Sequence, residues 1–306
     1  MVKGIFTRYR IYLGISLLLV SCSAEPSIEP PSNPQLITHA AGQTAVPENP
    51  ERIVVLDYGA LESAIALGVT PIATTLSGAM NEQPPHLRKH LKNVQVLGLE
   101  AQANLETIAM LKPDLIIGCA CLNGDVYPQL SQIAPTVFTE TAAEDWQENF
   151  LFHGKVLGKS QEAREIFAQY QERVQKLGSD PELDAVTISV ARIFPERIRL
   201  YLKKSFSGQI LAQTGLKRPP AQDRLFYKQE ISKEKWTALD ADILFMITVG
   251  NEAQTALDQL KADPLWSHLE VVQQNQVYQV PDYWIGVGFL SAHEVLDDLE
   301  RYLPPD

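Results

Sequence analysis

Between positions 192 and 228 the chain carries nine basic residues, Arg192, Arg197, Arg199, Lys203, Lys204, Lys217, Arg218, Arg224 and Lys228, against two acidic ones, Glu196 and Asp223. The whole chain is acidic, with a formal net charge of -11. Positive charge concentrated against that trend points to an anionic ligand, although the lysines read mostly as solvated surface. Guanidinium forks and aromatic faces suit such a ligand. The candidates are Arg192, where a strand running from Val186 ends, and Arg199 with Tyr201, which share one face of the following strand by two-residue alternation. Tyr283 and Trp284 follow a strand ending at Val280 and are placed to stack, with plugging of the core the competing role for Trp284. In the first half the candidates are Tyr58, opening a helix whose free N–H groups face an anion, and Arg88.

A second chemistry comes from a repeat. Glu106 begins a short helical stretch through Ile108 and Leu111 that leads to Asp114 and the strand Leu115-Ile116-Ile117. Glu234 begins a stretch through Trp236 and Leu239 that leads to Asp242 and the strand Ile243-Leu244-Phe245. Glutamate and aspartate are eight residues apart both times. Helix, turn and buried apolar strand recurring once implies two related lobes. Two equivalent acids on two pseudo-symmetric lobes match a partner with two-fold symmetry, whereas a helix-start carboxylate favoured by the dipole needs no partner.

Other chemistries lack their residues. The six histidines form no zinc-ligand spacing, so no metal site is expected. Ser205-Phe206-Ser207-Gly208 lacks the glycine that a nucleophile elbow places two before its serine. An enzyme is not expected, and the acidic charge opposes nucleic-acid binding.

The elements that must position these groups are α/β. Ile53-Val54-Val55-Leu56 reads as a strand, followed by a helix carrying Leu61, Ile65 and Leu67 and ending at Gly68. The second lobe opens on a hairpin, Val186, Ile188 and Val190 before Phe194-Pro195-Glu196 and Ile198, Leu200 and Leu202 after it. Between the lobes, Trp146, Phe150, Val156 and Leu157 occupy one helix, and Ser160 is placed to cap a second. There Ala163, Phe167, Tyr170, Val174 and Leu177 form an apolar stripe over about 25 Å of helix. The expected fold is two Rossmann-like lobes joined by a single long rigid helix, with the ligand cleft between them.

The N-terminus sets the compartment. Lys3, Arg8 and Arg10 precede an apolar run from Ile11 to Val20, too short to span a bilayer comfortably, which is the pattern of an export signal. Leu19-Val20-Ser21-Cys22 looks like a bacterial lipobox, with Cys22 the acylated residue; cleavage after Ala24 is the competing reading. The proline-rich residues that follow read as a tether reaching roughly 35 to 40 Å at about 3.1 Å per residue. The divisions are residues 1–21 (signal peptide), 22–35 (tether), 36–145 (N-terminal lobe), 146–178 (helical linker) and 179–306 (C-terminal lobe). Of the remaining cysteines, Cys119 and Cys121 are too close in sequence for an unstrained bridge and are expected as small, partly buried residues, with a strained disulfide or a thiol contact to ligand as alternatives.

From about residue 50 to 303 the chain resembles the helical-backbone class of ABC-importer binding proteins, those for ferric siderophores, haem and cobalamin. The resemblance is carried by Pro50-Glu51-Arg52-Ile53-Val54-Val55-Leu56, Ala66-Leu67-Gly68-Val69-Thr70-Pro71, Asn104-Leu105-Glu106, Leu111-Lys112-Pro113-Asp114-Leu115-Ile116, Ile231-Ser232-Lys233-Glu234 and Trp266-Ser267-His268-Leu269. Arg199-Leu200-Tyr201, Gly215-Leu216-Lys217-Arg218-Pro219-Pro220 and Asp282-Tyr283-Trp284 look most like the ferric-siderophore or ferric-citrate branch. The resemblance implies iron bound only as a chelate, with no cofactor of the protein's own, and it favours an arginine at the position of Arg192. It also implies that Glu106 and Glu234 engage arginines of a permease dimer. Haem or cobalamin is the alternative ligand, with Tyr58 or Tyr283 as the axial group for haem. The expected location is extracytoplasmic, at the periplasm or cell surface, held by the lipid on Cys22.

Overall fold

The computed structural model describes Met1 and residues 34–76, 85–232 and 234–303. The export signal, Cys22 and residues 22–33 of the tether lie outside the described residues. The last two tether positions do not: Pro34 already begins β1 (Pro34–His39), which pairs antiparallel with β2 (Gly42–Pro47). This hairpin buries Ile37 and Val46, and Ala40 donates its N–H to the Phe138 carbonyl, so the folded body starts before residue 36.

The N-terminal lobe is a five-stranded parallel sheet in the order β5-β4-β3-β6-β7. Its strands are β3 (Ile53–Val55), β4 (Ala73–Leu76), β5 (Gln95–Leu99), β6 (Leu115–Cys119) and β7 (Thr136–Thr139). The helices are α1 (Tyr58–Ala66), α2 (Pro85–Arg88), α3 (Leu105–Leu111), α4 (Ala120–Asn123) and α5 (Tyr127–Ile133). Parallel strands covered on both faces are continuous apolar runs, and β3 and β6 are buried throughout.

The linker is α6 (Trp146–Val156) followed by α7 (Ser160–Gly178). Ser160 is the first helical residue of α7 and makes no capping bond, in contrast to its expected role. The two helices turn at Gly158, whose φ of +70° is left-handed and whose absent side chain would collide with the Glu48 carbonyl. Along α7, Ala163, Tyr170, Val174 and Leu177 are buried as the stripe requires.

The C-terminal lobe repeats the frame in the order β10-β9-β8-β11-β12, with β8 (Ile188–Ile193), β9 (Ile198–Tyr201), β10 (Lys228–Ile231), β11 (Ile243–Ile247) and β12 (Val277–Val280). Its helices are α8 (Phe206–Gln213), α9 (Asn251–Ala262), α10 (Glu270–Gln273) and α11 (Phe289–Tyr302). The repeated aspartates do the same work in both lobes. Asp114 accepts the N–H groups of Glu51 and Arg52 at 2.8 and 2.9 Å, just before β3. Asp242 accepts the Thr187 N–H at 2.8 Å, just before β8. Each one ties the second central strand to the start of the first.

The lobes share one apolar core. Phe289 at the start of α11 stacks on Phe150 of α6 at 3.9 Å, and Trp146 packs against Tyr170 and Phe206. Arg173 of α7 binds Asp297 and Glu300 of α11 at 2.6 and 3.0 Å. A connector packed in this way resists large rearrangement of the lobes.

Candidate functional site

Parallel strands deliver side chains to the cleft at their carboxyl ends. In the C-terminal lobe, β8 and β9 form the expected hairpin, closed where Phe194 donates its N–H to the Arg197 carbonyl at 3.0 Å. The register places Arg192 directly opposite Arg199. Like charges facing each other across a ladder destabilise it. The site offsets this with one aromatic ring and one carboxylate. The guanidinium carbons of Arg192, Arg197 and Arg199 lie 4.7, 4.4 and 4.8 Å from the centre of the Phe194 ring, within cation–π range. Glu230 of β10 pairs with Arg197 at 3.0 Å and Arg199 at 2.7 Å. No ion pair to Arg192 is found among the described residues. Tyr201 is buried on the same face as Arg199, two residues along β9.

The opposing wall comes from the N-terminal lobe. Tyr58 is buried, with its hydroxyl 3.3 Å from His86 Nε2. His86 Nε2 also lies 3.2 Å from the buried Glu62 carboxylate, and its ring meets Tyr283 edge-on at 5.8 Å. Glu62 crosses between the lobes, accepting the Ser291 N–H at 2.8 Å and the Ser291 hydroxyl at the start of α11. Asp282 stands between the two walls. Burial raises its pKa, and the charges of His86 and then Arg192 pull it back. Arg88 ends α2 in an exposed position.

Several expectations are corrected by this geometry. Trp284 is fully buried, stacks on Phe245 at 4.2 Å and donates to Asp298 at 2.8 Å, so it fills the lobe core and offers no face to a ligand. Tyr283 donates to the same carboxylate at 2.8 Å, leaving only its ring edge at the lobe boundary. Two donors of the α1 N-terminus are already taken, as Asp57 accepts the Ala60 N–H at 2.8 Å and Glu100 accepts the Tyr58 N–H at 2.8 Å, which leaves this end less to offer an anion than expected. Arg218, counted in the basic segment, is buried and donates to the Ile188 and Tyr201 carbonyls at 2.7 and 2.6 Å, and its pKa is lowered to about 10 by desolvation. Cys119 and Cys121 are joined as a disulfide, the alternative left open beside the expected small, partly buried residues. His86, Glu62 and Glu230 were missed in the sequence because each acts through partners distant along the chain, and Phe194 because its three arginines gather on the ring only once the hairpin register is set.

Burial raises the pKa of both Tyr58 and Tyr283, and both hydroxyls face protein groups, which disfavours either phenolate as an axial haem ligand. Among the described residues, no group of His, Cys, Asp and Glu is placed to hold a metal ion. Glu106 is exposed in the first turn of α3, and Glu234 is exposed just before the short helical turn Trp236–Leu239.

The family model for periplasmic binding proteins matches residues 53–283. The Bacillus subtilis protein named "Probable siderophore-binding lipoprotein YfiY" is 34% identical over 95% of this chain and 96% of its own length. The Fe(3+) dicitrate-binding periplasmic protein FecB of Escherichia coli is 30% identical over 86% of this chain and 91% of its own. The crystal structure of Staphylococcus aureus SirA complexed with staphyloferrin B superposes with a TM-score of 0.75 at 29% identity, covering 88% of this chain and 98% of that one. The shared frame, the paired lobes and these matches lead to one conclusion: the chain belongs to the periplasmic binding protein family, as the extracytoplasmic solute-binding component of an ABC importer rather than an enzyme.

Proposed function

We propose that the cleft captures a ferric siderophore or ferric citrate complex and that the protein delivers it to the permease. The observation that carries this reading is the facing pair Arg192 and Arg199 on the Phe194 ring, three guanidinium groups among which Glu230 pairs with Arg197 and Arg199 while Arg192, among the described residues, has only the longer-range charge of Asp282. Such a cluster is electrostatically incomplete without an anion, and a carboxylate-bearing chelate supplies one in the planar form that guanidinium groups grip. Relatives named for siderophore and Fe(3+) dicitrate binding support the ligand class. Iron enters already wrapped in its chelator's oxygens, so the protein reads the outer surface of the complex. Tyr58 and Arg88 contribute from the N-terminal lobe.

The anchoring and docking parts of the reading rest on sequence. Cys22 carries the lipid that holds the protein at the membrane, and Glu106 and Glu234 engage basic residues of the permease dimer. A tryptophan-fluorescence panel of citrate, hydroxamate and catecholate ferric chelates tests the ligand. Saturable quenching by ferric citrate or another anionic chelate is expected. A panel with no binder overturns the proposal.

A further inference from the structure

Cys119 ends β6 beside the point where β3 leads into α1, since Leu56 donates its N–H to the Ile117 carbonyl at 2.8 Å. Its disulfide partner Cys121 lies two residues on, in α4. The stability that a disulfide adds grows with the loop it closes, and this one spans a single intervening residue, so it serves poorly as a staple. The pair is asymmetric, with Cys119 fully buried and Cys121 exposed. The Cys121 N–H points at the Cys119 sulfur at 3.2 Å, and the Glu140 carbonyl lies 3.5 Å from that sulfur. An N–H donor stabilises a departing thiolate, and a carbonyl accepts the S–H once the sulfur is protonated. The far end of α4 reaches the wall of the cleft. Buried Asn123 donates to the Glu100 carbonyl at 2.7 Å, and the Glu100 carboxylate accepts the Tyr58 N–H at 2.8 Å. Disulfide, α4, Glu100 and Tyr58 therefore form one chain of contacts.

We propose that Cys119 and Cys121 form a thiol–disulfide exchange site, at which an extracytoplasmic dithiol opens the bond and loosens the Tyr58 wall of the cleft. The inference rests on the capture reading above and adds a redox control of the hold on the chelate. A thiolate of the dithiol attacks the exposed Cys121 sulfur, and a mixed disulfide forms as the bond to Cys119 breaks. The electron pair leaves on the Cys119 sulfur, which takes up a proton. The second thiol of the reductant then attacks the reductant's own sulfur in the mixed disulfide, releasing Cys121 as a thiolate that is protonated in turn. Two electrons and two protons pass from dithiol to protein, and the reductant departs as its own disulfide. Opening the bond leaves the four residues of α4 tied by backbone alone, and Asn123 loses the fixed position from which it holds Glu100.

The test reads thiols and affinity on the purified full chain, with gallium(III) citrate as the probe because thiols reduce Fe(III). Dithiothreitol, removed under argon before titration, is expected to leave two reactive thiols in the folded chain and to weaken tryptophan quenching by gallium citrate roughly fivefold or more. Cys119→Ser/Cys121→Ser is expected to bind as weakly as the reduced parent and to be insensitive to dithiothreitol. Asn123→Ala, with the bond intact, is expected to show a comparable loss, and parental binding by it overturns the route through Glu100. A bond that is reduced only after urea unfolds the chain overturns the exchange site. If the reduced parent and the serine variant both bind as tightly as the oxidised parent, the redox control falls and chelate capture stands. An oxidised parent that binds no chelate of the panel overturns the capture reading itself, and the inference with it.

Discussion

The two lobes share a strand order and differ in the direction of one strand, β9, which runs antiparallel to both of its neighbours where β4 runs parallel to both of its own. In the N-terminal lobe, the strand beside β3 is β4, reached through helix α1, so the pair runs parallel. In the C-terminal lobe, the strand beside β8 is β9, reached by a tight hairpin, so the pair runs antiparallel. A crossover helix covers the carboxyl end of its strand and, here, places Asp57 and Glu100 on its own first N–H groups. A hairpin leaves that end open and brings two strand termini together, with Arg192 facing Arg199. One wall of the cleft therefore spends its carboxylates on its own backbone N–H groups, and the other gathers three guanidinium groups on one ring.

The largest expected effect concerns what holds the cationic wall in place. Trp284→Ala should cost about 3–5 kcal/mol in urea unfolding, because it empties the core between Phe245 and Asp298. A variant of parental stability with weakened chelate binding would return Trp284 to the ligand. Next, Arg192→Ala alone should weaken ferric citrate by roughly tenfold or more, since a charge-assisted bond contributes about 1.5–3 kcal/mol. Raising the salt should narrow the difference from the parent, read by titration at two ionic strengths.

Two buried groups should also separate by pH. His153, buried on α6 and held by Ser63 at 2.9 Å, has its pKa lowered to about 3 by desolvation. The unfolded chain binds that proton first, so this group costs stability as pH falls below about 6.5. Asp57 is shifted the other way, to about 7, chiefly by burial, so the stability it contributes is lost as pH rises from 3.8 towards 7. The two slopes oppose each other, each at most about 1.4 kcal/mol per pH unit. Urea midpoints between pH 4 and 6.5 should fall with rising pH in His153→Gln and rise in Asp57→Asn. Arg218, the buried cation of the other lobe, stays charged throughout that window and should give no slope. The smallest effect is Tyr58→Phe, expected to change chelate affinity by less than about tenfold because the lost hydroxyl already faces His86.

Much of this frame was legible in the sequence because it is periodic or local. The eight-residue spacing predicted the two lobes, and the aspartates that end it proved to perform the same bond in each. The hairpin around Phe194 and the stripe of α7 followed from alternation and from spacings of three and four. Side-chain direction was not legible where it depends on distant partners. Trp284 looked available for stacking because nothing local announces that Phe245 and Asp298 wait for it. Arg218 looked like surface charge because its acceptors are the carbonyls of Ile188 and Tyr201, 30 and 17 residues away. Phe194 read only as part of a turn, since its role exists only once the register brings Arg192, Arg197 and Arg199 around it.

The central claim is that the C-terminal lobe supplies the charge that captures the chelate. Side-by-side ferric-citrate titrations of the parent, Arg192→Ala/Arg199→Ala and Tyr58→Phe test it most directly. The account predicts a loss of about 100-fold or more in the arginine variant, with a near-parental Tyr58→Phe and unchanged unfolding midpoints in both. An arginine variant that binds as tightly as the parent, with Tyr58→Phe carrying the loss, would contradict it.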